Sequence, residues 1–144
     1  METGTTISSA EIPRASVRSI PAKLAVAWCF VILLACWIPR QSLPISEPTG
    51  TKRISIDKLV HFGMFAILGG FLAASSSTKR RIAILFVVGV AVAVISELGQ
   101  NHPLVGRDAN FADGIADVSG LITGIALTLA YLRSRRPTSP IEPG

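Results

Sequence analysis

The chain has 144 residues, 49% of them hydrophobic and only 16% charged, with a net charge of +5. That is one domain's worth of chain and too apolar for a soluble domain of its size. Two cysteines exclude a disulfide scaffold, and with no aromatic-interleaved basic stripe, nucleic-acid binding is excluded as the reason for the positive charge.

Residues 1–20 are Ser/Thr-rich and have no apolar period, which predicts a disordered N-terminus. An apolar run over 24–38 follows, predicting a helix over about 21–38. The run has a basic flank and a Cys36 that invite comparison with a cleaved lipoprotein leader. However, the flank exceeds twenty residues and Trp37 is a poor successor to a lipidated cysteine, so the segment is expected to be retained. Trp37 then serves as an interfacial anchor, as does Tyr131 at the opposite face. Cys29 and Cys36 lie about 10.5 Å apart along one helix, beyond disulfide reach, and are packing residues.

Pro39, Pro44, Pro48 and Gly50 predict an irregular loop over 39–56. Apolar runs over 59–74 and 82–95 predict helices over about 58–77 and 81–100, joined by the short "SSSTKRR" turn that makes them antiparallel neighbours. The last apolar run, 118–132, predicts a helix over about 112–133, and the Pro-rich residues 134–144 form a disordered tail. None of the four runs has the polar stripe of a soluble surface helix. The expected fold is therefore all-α, a four-helix transmembrane bundle over residues 21–133.

Lysine and arginine set the orientation. Nine of the fourteen (Arg14, Arg18, Lys23, Lys79, Arg80, Arg81, Arg133, Arg135, Arg136) flank alternate ends of the runs. By the positive-inside rule both termini are cytoplasmic. The other five are Arg40, Lys52, Arg53, Lys58 and Arg107. They share the outer side with Glu47, Asp57, Glu97, Asp108, Asp113 and Asp117.

Each charge-free run is shorter than the roughly 20 residues a span needs, so every helix must borrow polar residues from one end. Counting from the basic ends brings Lys58 and His61 into the second helix, Glu97 and Gln100 into the third, and Asp113 and Asp117 into the fourth. Three helices thus present ionisable groups at one depth. Asp57 and His61 are spaced i, i+4, which favours a hydrogen bond between them, and Asp113 and Asp117 share the same spacing. Gly89 and Ala93 lie below Glu97, and Gly120 and Gly124 lie below the aspartates. These small residues predict close packing of the third helix on the fourth. Arg107, in the short loop between them, is the expected counter-ion. One arginine and His61 cannot neutralise Glu97, Asp113 and Asp117 together, which predicts that at least one carboxyl is protonated.

Three readings of the cluster stay open: a polar lock between helices, a site that binds a headgroup or does chemistry, and a divalent-cation site formed by His61, Glu97 and an aspartate. The spacing matches no established metal motif such as HExxH, so no metal ligand and no cofactor is assigned.

Three stretches together, "DKLVHFGMFAILGGFL", "ISELGQ" and "VGRDANFADGIADVSGLITG", resemble the VanZ-like family of small bacterial membrane proteins, named for a teicoplanin-resistance accessory protein. The family pattern maps onto Asp57, Lys58, His61, Phe62, Glu97, Gln100, Gly106, Arg107, Asp113 and Gly120, within about residues 55–126. Where the family usually has asparagine, this chain has Asp117.

The resemblance implies a multi-pass protein of the bacterial cytoplasmic membrane linked to the cell envelope or to glycopeptide susceptibility, and it implies no reaction. The expected function is an accessory protein whose binding residues are Asp57, Lys58, His61, Glu97, Gln100, Arg107, Asp113 and Asp117. Its partners are membrane lipids and a lipid headgroup or lipid-linked precursor. The alternative is a small intramembrane enzyme with Glu97 or Asp113 as general base and His61 as acid. The sequence leaves oligomeric state open.

Overall fold

The computed structural model describes residues 14–38, 51–105 and 111–135. Four helices account for nearly all of them: α1 (Arg14–Trp37), α2 (Thr51–Ala74), α3 (Lys79–Gln100) and α4 (Phe111–Ser134). All four are long and apolar enough to cross a membrane. The fold is therefore all-α, and the chain is a multi-pass membrane protein.

The surface is consistent with immersion in lipid. Phe30, Leu34, Leu59, Val87, Leu98 and Leu127 are all exposed. In water such a continuous apolar coat would be an aggregation surface. In hydrocarbon it costs nothing, and helix association then depends on packing and polar contacts.

Helix ends depart from the sequence expectation in two places. Residues 14–20 are helical, with Pro21 inside α1, so disorder does not extend through residue 20. α2 begins at Thr51 and ends at Ala74, so the irregular loop stops short of residue 56 and the second helix ends three residues before 77. Apolar length marks where a helix enters lipid, not where its hydrogen-bonded ladder starts. The expected tails at 1–13 and 136–144, and the loop at 39–50, lie outside the described residues.

The turn between α2 and α3 is closed by local hydrogen bonds. Ser75 and Ser76 hydroxyls both donate to the Leu72 carbonyl, at 2.9 and 2.7 Å, and the Thr78 hydroxyl caps α3 by accepting from the Arg81 amide at 3.2 Å. Lys79, Arg80 and Arg81 oppose the macrodipole at this helix start. The basic turn is therefore there for topology and not for helix stability.

The most extensive contact is between α2 and α4. A Cβ placed on Gly120 would collide with the Phe62 carbonyl, and one on Gly124 with the Ala66 carbonyl; on the other side, a Cβ on Gly69 would collide with the Leu121 carbonyl. The two backbones touch directly, in the small-residue mode of membrane helices. Because 62 faces 120 and 66 faces 124, α2 and α4 run parallel, in step turn by turn. This corrects the expected partner of the α4 glycines, which is α2 and not α3. α3 packs less intimately, with Gly89 lying against the Leu121 side chain and the stripe Gly89, Ala93, Ser96 and Gln100 facing inward. Towards the basic turn α3 and α4 leave an apolar groove lined by Ile82, Phe86, Ile122 and Ile125.

α1 lies on α2 and α3, inserting Ala25, Ile32 and Cys36 into the core with Phe65 and Leu68. Trp28 Nε1 donates to the Met64 carbonyl at 2.9 Å, and its ring meets Phe71 edge-on at 6.4 Å. Trp28→Phe keeps the ring contact and removes the donor, so a loss of about 1 kcal/mol is expected, measurable by denaturant titration in mixed micelles. Trp37 rests on Gly99, which ties the end of α1 to the end of α3.

Candidate functional site

The parallel register of α2 and α4 has a chemical consequence at one end of the bundle. One turn above the Phe62–Gly120 contact, His61 Nδ1 meets Asp117 Oδ1 at 3.0 Å. One turn further, Lys58 Nζ donates to Asp113 Oδ1 at 2.6 Å. Glycines without side chains let the backbones close, and the closed backbones place two pairs of polar groups opposite each other. Asp113 also lies in the first turn of α4, where the partial positive charge of the helix start favours a carboxylate.

The depth of these groups distinguishes them from ordinary surface charges. Asp117 is fully enclosed, at 0% exposure, with His61 at 2% and Asp113 at 3%. On α3, Gln100 and Ser96 are also buried, and Glu97 is half-buried. The Ser96 hydroxyl donates to the Ala93 carbonyl at 2.8 Å. Lys58 remains partly open and Asp57 is exposed, so the cluster grades from a dry floor at Asp117 to a wet rim at Asp57.

Two overlapping groups of three converge on His61. Asp57, His61 and Asp113 each bring a donor atom within 4.8 Å of the others, and so do His61, Glu97 and Asp117. One imidazole thus joins all three helices that carry acids.

Of the binding residues expected from sequence, Asp57, Lys58, His61, Glu97, Asp113 and Asp117 are brought together here, and Gln100 is buried one turn from Glu97. Arg107, the expected counter-ion, and Gly106 lie outside the described residues. Among the described residues, Lys58 is the counter-ion to Asp113. The expected Asp57–His61 hydrogen bond is corrected: His61 bonds Asp117 on the neighbouring helix. Spacing along one helix cannot report a register between two. Ser96 was missed, since a lone serine in an apolar helix carries no charge signal; its only clue was its spacing of three from Ala93 and four from Gln100 on one face.

Fold and site together define a class, a four-span membrane protein with a buried, acid-rich polar cluster between three of its helices. No family model, curated protein or solved structure matches the chain.

Proposed function

We propose that the chain is a VanZ-like accessory protein of the bacterial cytoplasmic membrane. In this reading its termini are cytoplasmic, and its polar cluster faces outward to recognise a lipid headgroup or a lipid-linked envelope precursor, with an effect on glycopeptide susceptibility. The observation that carries the reading is the graded cluster itself: buried and half-buried ionisable groups of α2, α3 and α4 at the bundle end opposite the basic turn Lys79–Arg80–Arg81. An intramembrane charge costs about 3 kcal/mol or more, so a group kept there is a functional candidate by default. The positive-inside rule places that end at the external leaflet, where headgroups are met.

Lys58 is the group that can trade partners. It sits at the rim, is partly solvated, and is held by one carboxylate oxygen. An incoming phosphate or carboxylate can compete for its ammonium, which Asp57→Asn would leave intact. The test is thermal melting of the protein in phosphatidylcholine nanodiscs, with and without lipid-linked precursor or anionic lipid. The expected result is a rise in Tm for the parent chain that Lys58→Ala removes and Lys58→Arg keeps in part. Absence of any shift, together with an unchanged envelope phenotype of Lys58→Ala, would end the reading.

The hydrogen bond that His61 donates to Asp117 favours one further reading. A carboxylate that orients an imidazole is the arrangement used in general acid-base catalysis. An enzyme of this kind would use His61 as acid and Glu97 or Asp113 as base on a lipid-linked substrate entering between the helices. Glu97→Gln and His61→Gln variants that melt like the parent should then both lose turnover, and full activity in both rejects the enzyme.

A further inference from the structure

The carboxylates of Asp57, Glu97, Asp113 and Asp117 gather with the Lys58 ammonium around the His61 imidazole where α2, α3 and α4 meet. A second observation is independent of that gathering. Asp117 Oδ2 is buried and has no hydrogen-bond partner among the described residues. A carboxylate oxygen in that state asks for a donor or a cation. A water molecule supplies only a donor, whereas a cation also bridges Asp117 to the donor atoms that His61 and Glu97 bring within reach.

We propose that His61, Glu97 and Asp117 bind one divalent cation of the Mg²⁺, Ca²⁺ or Mn²⁺ class between α2, α3 and α4. Donor atoms on such a cation lie about 3 Å apart when adjacent and about 4–5 Å apart when opposite, from metal–oxygen lengths of about 2.0–2.6 Å. The three donors already lie within 4.8 Å of one another, so small side-chain rotations complete the set. Two carboxylates and one imidazole suit a hard or borderline ion, not a thiophilic one. The neighbouring triad of Asp57, His61 and Asp113 is the weaker place. It shares the same imidazole, and Asp113 already holds the Lys58 ammonium at 2.6 Å, which would repel a second cation. One ion per chain follows. The proposal does not depend on headgroup recognition, although a bound cation would also attract an anionic phosphate.

The test is titration of the full chain in phosphatidylcholine nanodiscs with Mn²⁺, following free Mn²⁺ by electron paramagnetic resonance against protein-free discs. Saturable uptake of one ion per chain is expected, with a dissociation constant on the order of 0.1–1 mM or tighter, displaced by Ca²⁺ or Mg²⁺. Glu97→Gln and Asp117→Asn should each weaken uptake by about tenfold or more, and Asp57→Asn by less than about threefold. No saturable uptake by the parent chain overturns the proposal, and so does Glu97→Gln binding as tightly as the parent. Should Asp57→Asn lose more than Glu97→Gln, the ion belongs to the other triad and the assignment fails. The parent chain alone gives a second readout: Mn²⁺ should raise its Tm relative to chelator, and an unchanged Tm counts against the site even if a variant does not fold. No precursor is present in these measurements, so their outcome is separate from that of the headgroup experiment.

Discussion

Gly124→Val is expected to separate α2 from α4 and to destabilise the protein by about 3 kcal/mol or more, at the upper end of overpacking costs, because the new side chain meets a backbone that cannot rotate away. The Cβ at 124 would meet the Ala66 carbonyl, and the one at 120 the Phe62 carbonyl. Relief requires moving a whole helix. Gly120→Val should behave alike. The useful control is inside the same helices: nothing lies within 4 Å of a Cβ at Gly63 or Gly114. Gly63→Ala and Gly114→Ala should therefore be neutral or stabilising by up to about 1 kcal/mol through helix propensity. Unfolding in mixed micelles separates the two pairs. Equal effects at 63 and 124 would show that the backbone contact between α2 and α4 does not carry the fold.

The same contact sets the register of the polar groups, and this leads to the second large effect. His61→Leu should cost about 3–5 kcal/mol, because it leaves the Asp117 carboxylate enclosed without its donor. Asp117→Leu should cost a similar amount by stranding the imidazole. The double variant should recover most of the loss, since two apolar groups of suitable size can be nearly neutral where one orphaned polar group is not. A double-mutant cycle on unfolding free energy is expected to return a coupling of about 2 kcal/mol or more. Lys58→Ala should be milder, about 1 kcal/mol, since water reaches the Lys58 side chain, 29% exposed, at the rim and can solvate what remains. If the His61 and Asp117 effects simply add, the two side chains do not share the hydrogen bond and the floor of the site is built differently.

How far the site could be read from sequence follows from the same contrast between rim, floor and backbone. The apolar runs were too short to span alone, so Lys58, His61, Glu97, Gln100, Asp113 and Asp117 had to enter the helix ends. That argument needs only chain length and bilayer thickness, and those residues do gather at one end of the bundle. Partnership was not legible. The i, i+4 spacing of Asp57 and His61 pointed to a bond within one helix, but the Phe62–Gly120 contact brings Asp117 closer from outside. The small residues of α4 were visible in sequence, yet nothing there says which neighbour they touch, and they touch α2. The start of α2 at Thr51 was hidden for a related reason. A helix turn beyond the lipid boundary leaves no apolar signature, and the prolines at 39, 44 and 48 end before it.

The orientation proposed for the site can be measured directly by thiol labelling in a background with Cys29 and Cys36 replaced. A membrane-impermeant maleimide applied to intact cells should modify Asp57→Cys, at the wet rim, and leave Arg80→Cys and Arg133→Cys untouched. In inverted vesicles the pattern should reverse. His61→Cys should resist the reagent from both sides while the fold is intact, since the position is closed over by α4. Labelling of positions 57 and 80 from the same side, or ready labelling of position 61 in the folded protein, would contradict a buried polar cluster open to the external face.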